Sequence, residues 1–543
     1  MIERLRSRWA QAAAVTVALT ILHTWPLATD PAGLSLNYNG DVMLNEWILA
    51  WVQHQLPHAP FELFHANIFY PAADALAFSE PLIVPALLGW PIRLLGGSPV
   101  LVHNLLLLAG LVLTMLATYA LAHHWTGDHG AALVAGAAAT FNTQSLVRLE
   151  HLQAAHAYGI PLALLAADKF MSTGERRHAW WLAGWMILMA YSSGYLVIFT
   201  TVALAVLVLA RARAWWPRRA RVIGGFVLAA VVAGVAVIPI YIPYHRVASE
   251  QGMTRTLDSV TQFSATIDGY IASYSRVHGW LWNAGAPREF PDAYFPGIVL
   301  AVLALAGVVL CGVKGGGKTR GRVLGLAGLC VVGLLLSLGT RTPVYGWLYA
   351  VFPPMSGLRA AARFGGLFVL GTALLAAFGL AAVRLRVTPR LGGWLAVVAL
   401  VVVSLEAMRA PFTYMPFRGI PRIYELLATE PGPVVLVEVP FYLPQTIFMN
   451  AEYMLNSTAH WRPLMNGYSG YTPRTYREYV REFWNFPDPR AVEAMRAAGA
   501  THLMVHPARY EADAAVTLER ALANPSLERI AVSRGNMTLF RIR

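Results

Sequence analysis

The chain has 543 residues, of which 57% are hydrophobic and only 13% are charged, and its mean hydropathy is +0.50. This composition excludes an ordinary water-soluble domain, because one soluble core could not bury so much apolar surface, and it indicates a membrane protein. The formal net charge of +13 does not indicate a nucleic-acid-binding protein, because the basic residues stand in short runs between apolar segments. Cys311 and Cys330 lie inside apolar runs, which favours neither a disulfide framework nor a cysteine metal site.

Transmembrane helices are predicted from the length of the apolar stretches and from the tendency of Lys and Arg to cluster on the cytoplasmic side. Because all basic clusters should lie on the cytoplasmic side, the chain must cross the membrane an even number of times between any two of them. This rule decides which of the shorter apolar stretches cross the membrane. The sequence predicts about eleven transmembrane helices, near residues 10–28, 100–121, 131–142, 157–171, two arms of a hairpin that turns at 191–195, 222–243, 294–313, 323–339, 364–383 and 391–408.

This assignment divides the chain into a membrane domain of residues 1–410 and an extracytoplasmic domain of residues 411–543. The N-terminus is cytoplasmic. The outer face receives the loops 29–99, 143–156, 244–293 and 340–362. Since the cytoplasmic loops are all short, functional residues are expected on the outer face.

One further apolar segment, residues 81–97, is predicted not to cross the membrane. Pro81, Pro85 and Pro91 interrupt its helical hydrogen-bond ladder, and Arg93 lies within it. We therefore expect the segment to be re-entrant or to lie along the outer surface.

The first outer loop contains a candidate general base. Gly40-Asp41 is followed by Leu44, Trp47, Ile48, Trp51 and Gln55, which have the spacing of an amphipathic helix that lies in the membrane interface. Partial desolvation there would make the Asp41 carboxylate more basic, as a general base requires. The alternative is that Asp41 only caps a helix that begins near Val42.

Other charged residues on the outer side are candidate substrate contacts. Glu80 precedes the segment 81–97 as a second acid or as a helix N-terminal charge. Arg148, Glu150 and His151 follow the third crossing, where they either line a cavity or form an internal salt bridge.

Arg359 and Arg363 precede the tenth crossing on the outer side, against the usual bias of arginine toward the cytoplasm. Two arginines four residues apart share one helix face and can hold a phosphate in a bidentate manner. The alternative is that they bind lipid headgroups.

A formal phosphate-loop pattern occurs at Gly312–Thr319, but a working loop must follow a buried strand within a soluble α/β domain. Here the pattern joins two predicted membrane helices. We interpret it as a basic cytoplasmic loop.

The C-terminal part predicts a small α/β domain, with strands near 433–439, 501–505, 528–533 and 537–542 and helices near 474–483, 489–499 and 514–523. Its loop from His460 to Tyr471 alternates aromatic and polar residues. Such a loop suits stacking against carbohydrate, or packing of the domain against the membrane.

The order of these features resembles a known superfamily. A first helix, an outer loop that contains Gly40-Asp41 and Phe69-Tyr70-Pro71, and a re-entrant segment resemble the GT-C glycosyltransferases, which use polyprenyl-phosphate sugars. The stretches Leu358–Phe364 and Asn466–Gly470 look more like the bacterial branch related to YfhO-type membrane proteins.

The resemblance implies that an acid in the first outer loop deprotonates the acceptor hydroxyl, and that the sugar leaves the lipid phosphate with inversion. Asp41 matches the position of this acid, and Arg359 and Arg363 are candidates for the lipid phosphate. Many relatives have paired acids in this loop, whereas Val42 follows Asp41 here. Glu46 faces elsewhere by helical spacing.

The sequence therefore predicts a mainly α-helical GT-C-like protein of the bacterial inner membrane. The resemblance implies that it transfers a hexose or pentose from a polyprenyl-phosphate carrier to a lipid or polysaccharide acceptor. We expect no obligatory metal or other cofactor and no nucleic acid. Two alternatives stay open, a transporter or flippase for lipid-linked glycans and a non-catalytic scaffold of envelope assembly. A transporter would require inverted repeats or ionisable residues deep in the membrane, which the sequence does not display.

Overall fold

The computed structural model describes residues 2–253, 255–279 and 292–543, so residues 254 and 280–291 of the predicted outer loop 244–293 lie outside the described residues. The chain forms two compact units that do not follow sequence order. One of them, which we call the acid unit, consists of Pro31–Asn104, Pro239–Met253 and Tyr414–Arg543. The remaining described residues form the other, the helical unit. The predicted division at residue 410 stays a prediction.

Helices occupy all the segments that were predicted to span the membrane. They run over Ile2–His23, Pro99–Thr126, His129–Thr140, Gly159–Thr173, Arg176–Ala190, Gly194–Ala210, Arg219–Gln251, Ile298–Gly307, Gly317–Ser337, Gly365–Arg384 and Pro389–Ala407. Shorter helices run over Thr143–Leu146, Leu152–Ala155, Ala212–Trp215, Leu257–Thr261 and Pro343–Val351. The segment before Gly312–Thr319 is helical up to Val313, so that pattern does not follow a strand, as a phosphate loop would require.

Five of the described helices are long and apolar enough to span a membrane: Pro99–Thr126, Ala212–Gln251, Gly317–Ser337, Ala361–Arg384 and Pro389–Ala407. The chain is therefore a multi-pass helical membrane protein. The helix at 129–140 has 12 residues, or about 18 Å of length, which is less than the roughly 30 Å of a bilayer core. The count of eleven spanning helices stays a prediction.

A buried ion network joins Asp168 to residues of three other segments of the helical unit. Asp168, in helix Gly159–Thr173, is completely buried and accepts hydrogen bonds from Arg211 and Arg322. Arg211 follows helix Gly194–Ala210, and the Arg322 Nη2 atom lies 2.7 Å from Asp168 Oδ2. His124 Nε2 is 3.3 Å from the same oxygen. Two arginines thus depend on one carboxylate for the partner that a buried charge requires.

The acid unit contains a four-stranded sheet, and its strands lie where the sequence predicted strands. Its strands are β3 (Leu436–Val439), β4 (His502–Val505), β5 (Leu527–Val532) and β6 (Thr538–Ile542), in the order β3-β4-β6-β5. β3 and β4 are parallel, and the other pairs are antiparallel. A separate antiparallel pair consists of β1 (Leu34–Ser35) and β2 (Met415–Pro416). Helices of this unit run over Glu425–Thr429, Ala451–Ser457, Arg474–Phe483, Pro489–Ala497 and Ala514–Ala523.

The outer edge of β3 is covered by residues 463–466, which we call the edge segment. Leu436 N donates to Pro463 O at 2.8 Å, and Met465 N donates to Leu436 O at 2.9 Å. A strand edge presents unpaired N–H and C=O groups, and a buried edge requires partners for them. The edge segment supplies these partners to a strand whose four residues are all buried.

Residues 67–70, which we call the Phe69 segment, pair with the far side of the edge segment. Leu464 N donates to Asn67 O at 2.7 Å, Tyr70 N donates to Leu464 O at 3.0 Å, and Phe69 N donates to Asn466 O at 3.1 Å. The Phe-Tyr-Pro motif of the first loop and the Asn-Gly-Tyr motif of the C-terminal part are therefore neighbours.

One prediction about the first loop is wrong. The helix Gly40–His58, which we call the Asp41 helix, does not present one apolar face to an interface, because residues on all its sides, from Val42 to Gln53, are largely buried within the acid unit. Segment 81–97 contains the helix Ile83–Leu94 with Pro91 inside it, and its predicted re-entrant or surface position stays a prediction. Gln53 Nε2 donates to Ala86 O at 2.8 Å, which joins the two helices.

We expect Asp168→Asn to destabilise the protein by about 3–5 kcal/mol, because it leaves the buried guanidinium of Arg211 without a counter-charge. The measurement is the thermal unfolding midpoint of the purified protein in detergent. Asp128→Asn is the control, because Asp128 pairs with Arg384 at 2.8 Å in a partly exposed site, where an ion pair contributes about 1 kcal/mol or less. Equal effects of the two substitutions would contradict the prediction.

Candidate active site

Asp41 lies in the first turn of the Asp41 helix and is partly buried. The N-cap of this helix is Asn39, whose side-chain oxygen accepts a hydrogen bond from Asp41 N at 2.8 Å. The alternative that Asp41 itself caps the helix is therefore wrong. Its carboxylate is directed instead to the C-terminal part of the chain, where the hydroxyl of Tyr468 donates to Asp41 Oδ1 at 2.6 Å.

Tyr468 belongs to a loop that is fixed on both sides. The side chain of Asn466 accepts from Glu438 N at 2.8 Å and donates to Glu438 O at 2.9 Å, so it continues the pairing of the edge segment with β3. Asn450 Nδ2 donates to Gly467 O at 3.0 Å, and Tyr468 N lies 3.0 Å from the sulfur of Met454. The backbone on which the Tyr468 hydroxyl depends is thus tied to a strand and to a helix.

Two glycines make the close packing around this contact feasible. A Cβ atom at Gly467 would lie 2.7 Å from ring atoms of Phe69. A Cβ atom at Gly40 would lie 2.9 Å from Phe448 O and 3.4 Å from the ring of Tyr468. Real side chains do not approach so closely, so both positions require glycine unless the loops move.

Tyr468, Asn466 and Asn450 were not among the predicted site residues. The sequence did single out the loop His460–Tyr471, but for its aromatic content and not for one hydroxyl. The signal that could have identified Tyr468 is the Asn466-Gly-Tyr-Ser-Gly motif, because a glycine on each side of a polar aromatic residue indicates close packing of its loop.

The other acids of the first loop have different surroundings. Glu46 is completely buried, and its Oε1 lies 3.2 Å from Ser35 Oγ. Burial raises the pKa of Glu46 to about 8, although hydrogen bonds from Ser35 and Asn37 oppose this shift. Glu80 is partly buried and follows Ser79, whose carbonyl oxygen accepts from the Tyr244 hydroxyl at 2.5 Å.

The helical unit contains a cavity of about 150 Å³ in which three predicted residues come together, Arg148, His151 and Arg363. The Arg148 Nη2 atom lies 3.1 Å from Asp292 Oδ1, and the Arg363 guanidinium lies 4.5 Å from the ring centre of Tyr195. Much of the remaining lining is apolar: Leu111, Leu149, Ile160, Leu196, Phe199, Leu367 and Leu370. The cavity therefore combines cationic groups with an apolar wall.

The positive charges of three arginines act on the side chain of His151. Burial holds the pKa of His151 well below its ordinary value, and the positive charges of Arg363, Arg148 and Arg359 lower it further. The imidazole is therefore neutral at physiological pH and can donate one hydrogen bond and accept another. Glu150 is partly buried and is not among the lining residues of the cavity.

The expectation that Arg359 and Arg363 share one helix face is wrong. The helical turn begins only at Ala361 and is a 3-10 turn, so Arg359 precedes it. The Arg359 guanidinium lies 4.3 Å from the ring centre of Phe263, and only Arg363 lines the cavity. The backbone of Arg359 is held by the Tyr195 hydroxyl, which accepts from Arg359 N at 3.2 Å.

No protein-family model and no curated protein matches the sequence. The fold is similar to that of the arabinofuranosyltransferase AftD from mycobacteria, with a TM-score of 0.59 and 16% identity over 98% of this chain and 40% of AftD. It is also similar to the oligosaccharyltransferase of Archaeoglobus fulgidus, solved with a tethered acceptor peptide, with a TM-score of 0.50 and 12% identity over 99% of this chain and 74% of that enzyme. The chain thus spans less than half the length of AftD and is similar to it in fold.

We expect the stability of the wild type to fall as the pH rises from about 4.5 to about 8, because Glu46 keeps its proton in the folded protein while the unfolded chain loses it. The slope approaches about 1.4 kcal/mol per pH unit. Glu46→Gln, which is neutral at every pH, should remove this slope in thermal unfolding measured across the range. The exposed Glu62→Gln is the control and should keep it. An unchanged slope in Glu46→Gln would show that another group titrates.

Proposed function

We propose that this chain is a membrane glycosyltransferase that moves a sugar from a polyprenyl-phosphate carrier to a cell-envelope acceptor on the outer face of the bacterial inner membrane. The observation that carries the proposal is a fold shared over nearly the whole chain with AftD, an arabinofuranosyltransferase, and with an oligosaccharyltransferase. Because one fold can serve several activities, the proposal also needs a site. Asp41 in the first loop, held by Tyr468, supports it.

The reaction is a single displacement at the anomeric carbon. Asp41 accepts the proton of the acceptor hydroxyl as its oxygen forms a bond to the anomeric carbon. The bond between that carbon and the phosphate oxygen breaks at the same time, and the polyprenyl phosphate leaves with the electron pair. The configuration is inverted, and the donor is a hexosyl or pentosyl phosphate lipid. No nucleotide sugar takes part, and no metal ion is obligatory.

The cavity of the helical unit is assigned to the phosphate of the lipid carrier. Arg148 and Arg363 supply positive charge, and the neutral His151 supplies a hydrogen bond. A cationic group within a largely apolar wall interacts strongly with an anion, because little water is present to screen it. The apolar wall suits the isoprenoid portion of the carrier. Glu80 and Glu150 are proposed as further substrate contacts, and Arg359 is proposed to add positive charge at longer range.

Within the GT-C superfamily we place the chain beside the bacterial branch related to YfhO-type proteins. The stretch Leu358–Phe364 and the motif Asn466–Gly470 support this placement. Asn466 and Tyr468 of that motif contact Glu438 and Asp41, so the motif has a defined structural role in this chain.

We expect Asp41→Asn to lower sugar transfer by about 10²- to 10⁴-fold, because the amide cannot accept the proton of the acceptor. The measurement is the transfer of radiolabelled sugar from polyprenyl phosphate to endogenous lipid or polysaccharide in membranes that contain equal amounts of each protein.

The control is Asp74→Asn, which changes an acid of the same predicted loop that pairs with Arg246 at 2.8 Å. The control should transfer sugar at nearly the wild-type rate. Full activity of Asp41→Asn would contradict the proposed mechanism, whereas a wild type without transfer from a full panel of donors would favour a transporter or a scaffold.

We expect Arg363→Gln to raise the KM for the lipid donor by about 10- to 100-fold, because it removes a charge-assisted hydrogen bond to the phosphate. Arg359→Gln is the matched control, since it removes an arginine from the same segment that does not line the cavity. We expect an increase of less than about threefold there, since a charge at longer range contributes little. A larger increase for Arg359→Gln than for Arg363→Gln would reverse this assignment.

A further inference from the structure

We propose that Tyr468 is a positioning residue for the general base, and that its hydroxyl holds the Asp41 carboxylate in the orientation that proton transfer requires. This inference rests on the proposed function, because it gives Tyr468 a role only if Asp41 takes a proton. The carrying observation is the hydrogen bond of 2.6 Å from the Tyr468 hydroxyl to Asp41 Oδ1, between residues 427 positions apart in the chain.

The length and charge of this hydrogen bond favour a functional role over a casual surface contact. A hydroxyl that donates to a carboxylate at about 2.6 Å forms a charge-assisted hydrogen bond, which is roughly twice as strong as a neutral one. Both side chains are partly buried, so water competes with the contact less than it would on an open surface. The contact therefore restricts the rotation of the Asp41 carboxylate.

The backbone around Tyr468 is fixed by more hydrogen bonds than is usual for an exposed loop. Asn466 bonds both the N–H and the C=O of Glu438, so the loop is fixed to the edge of a buried strand. Asn450 holds Gly467 O from the opposite side. A hydroxyl presented by such a loop has a fixed position, as a supporting group of a catalytic residue should have.

The Asp41 side of the contact is equally constrained. A β-carbon at Gly40 would lie only 2.9 Å from Phe448 O, so none fits there without movement, and it would also touch the ring of Tyr468 at 3.4 Å. Asn39 fixes the first turn by accepting from Asp41 N. The N-terminus of the Asp41 helix and the ring of Tyr468 therefore pack directly against each other. The hydrogen bond thus joins two side chains whose backbones are both held in place.

During the reaction Tyr468 keeps its own proton. It donates to one carboxylate oxygen throughout, while the proton of the acceptor hydroxyl moves to the Asp41 carboxylate. A carboxylate that is already oriented does not have to reorganise in the transition state, which is the source of the rate effect. The loss of the hydroxyl is thus expected to affect turnover more than donor binding.

The test compares Tyr468→Phe with Tyr471→Phe in the full-length protein. Tyr471 lies in the same loop, and its hydroxyl donates to Gln251 O at 3.0 Å. We expect Tyr468→Phe to lower kcat about 10- to 100-fold and to change KM less than about twofold. This size corresponds to the loss of one hydrogen bond to a charged group. Tyr471→Phe should leave kcat within about twofold of the wild type.

A second measurement reports the contact without reference to activity. Thermal unfolding of Asp41→Ala, Tyr468→Phe and the double variant forms a double-mutant cycle, because each single substitution removes the hydrogen bond. We expect the double variant to lose less stability than the sum of the two single losses, because both substitutions disrupt one hydrogen bond. Additive losses would overturn the inference, since the two side chains would then not interact.

The remaining outcomes separate this inference from the proposed function. Coupled stabilities with an unchanged kcat in Tyr468→Phe would make the contact purely structural and overturn the positioning role, while the glycosyltransferase proposal would stand. Equal losses of kcat in Tyr468→Phe and Tyr471→Phe would overturn it as well, because they would indicate general disruption of the loop. A wild type without any transfer would overturn the proposed function and the inference together.

Discussion

The open edge of strand β3 is the constraint on which the acid unit depends. β3 is completely buried at the edge of its sheet, so its backbone groups need partners that water cannot supply. Residues 463–466 provide them, and the side chain of Asn466 provides the last pair by bonding the N–H and C=O of Glu438. The Phe69 segment then pairs with the far side of this cover. The need to cover one strand edge thereby brings the first loop and the C-terminal part together.

The positions of the charged groups follow from the cost of burying a charge. In the helical unit Asp168 is buried between Arg211 and Arg322, and Glu406 accepts from the backbone N–H groups of Ile298 and Val299 at the start of a helix. Each of these charges meets an opposite charge or an N–H donor and has a structural explanation. The cavity differs, because Arg148 and Arg363 line it and the charge of Arg359 also acts on its His151. Positive charge around a cavity suits an anionic ligand.

Sequence reasoning failed where it treated a segment by itself. The Asp41 helix was expected to lie in an interface because Leu44, Trp47 and Ile48 share one face. Val42, Leu49 and Val52 on its other sides are buried as well, since this helix is enclosed by other parts of its unit. For Arg359 and Arg363 the four-residue spacing suggested a helix, but the 3-10 turn begins after Arg359. Burial on several sides and the start of a helix depend on neighbours that spacing does not reveal.

The sequence by itself determined the membrane character, the location of the helices, and the strands and helices of the C-terminal part. It also put forward Asp41, Arg148, His151 and Arg363, whose roles stay predictions. The length of an apolar stretch, the position of basic clusters and the alternation of apolar and polar residues are local properties of the sequence. These features could therefore be predicted without knowledge of tertiary contacts. The tertiary structure alone decided that Tyr468 bonds Asp41, that Glu46 is buried with a raised pKa, and that the two loop motifs are adjacent. The physical reason is that these contacts join residues far apart in the chain. Their geometry is set by the pairing of a strand edge and by close packing around Gly40 and Gly467, which no local pattern encodes.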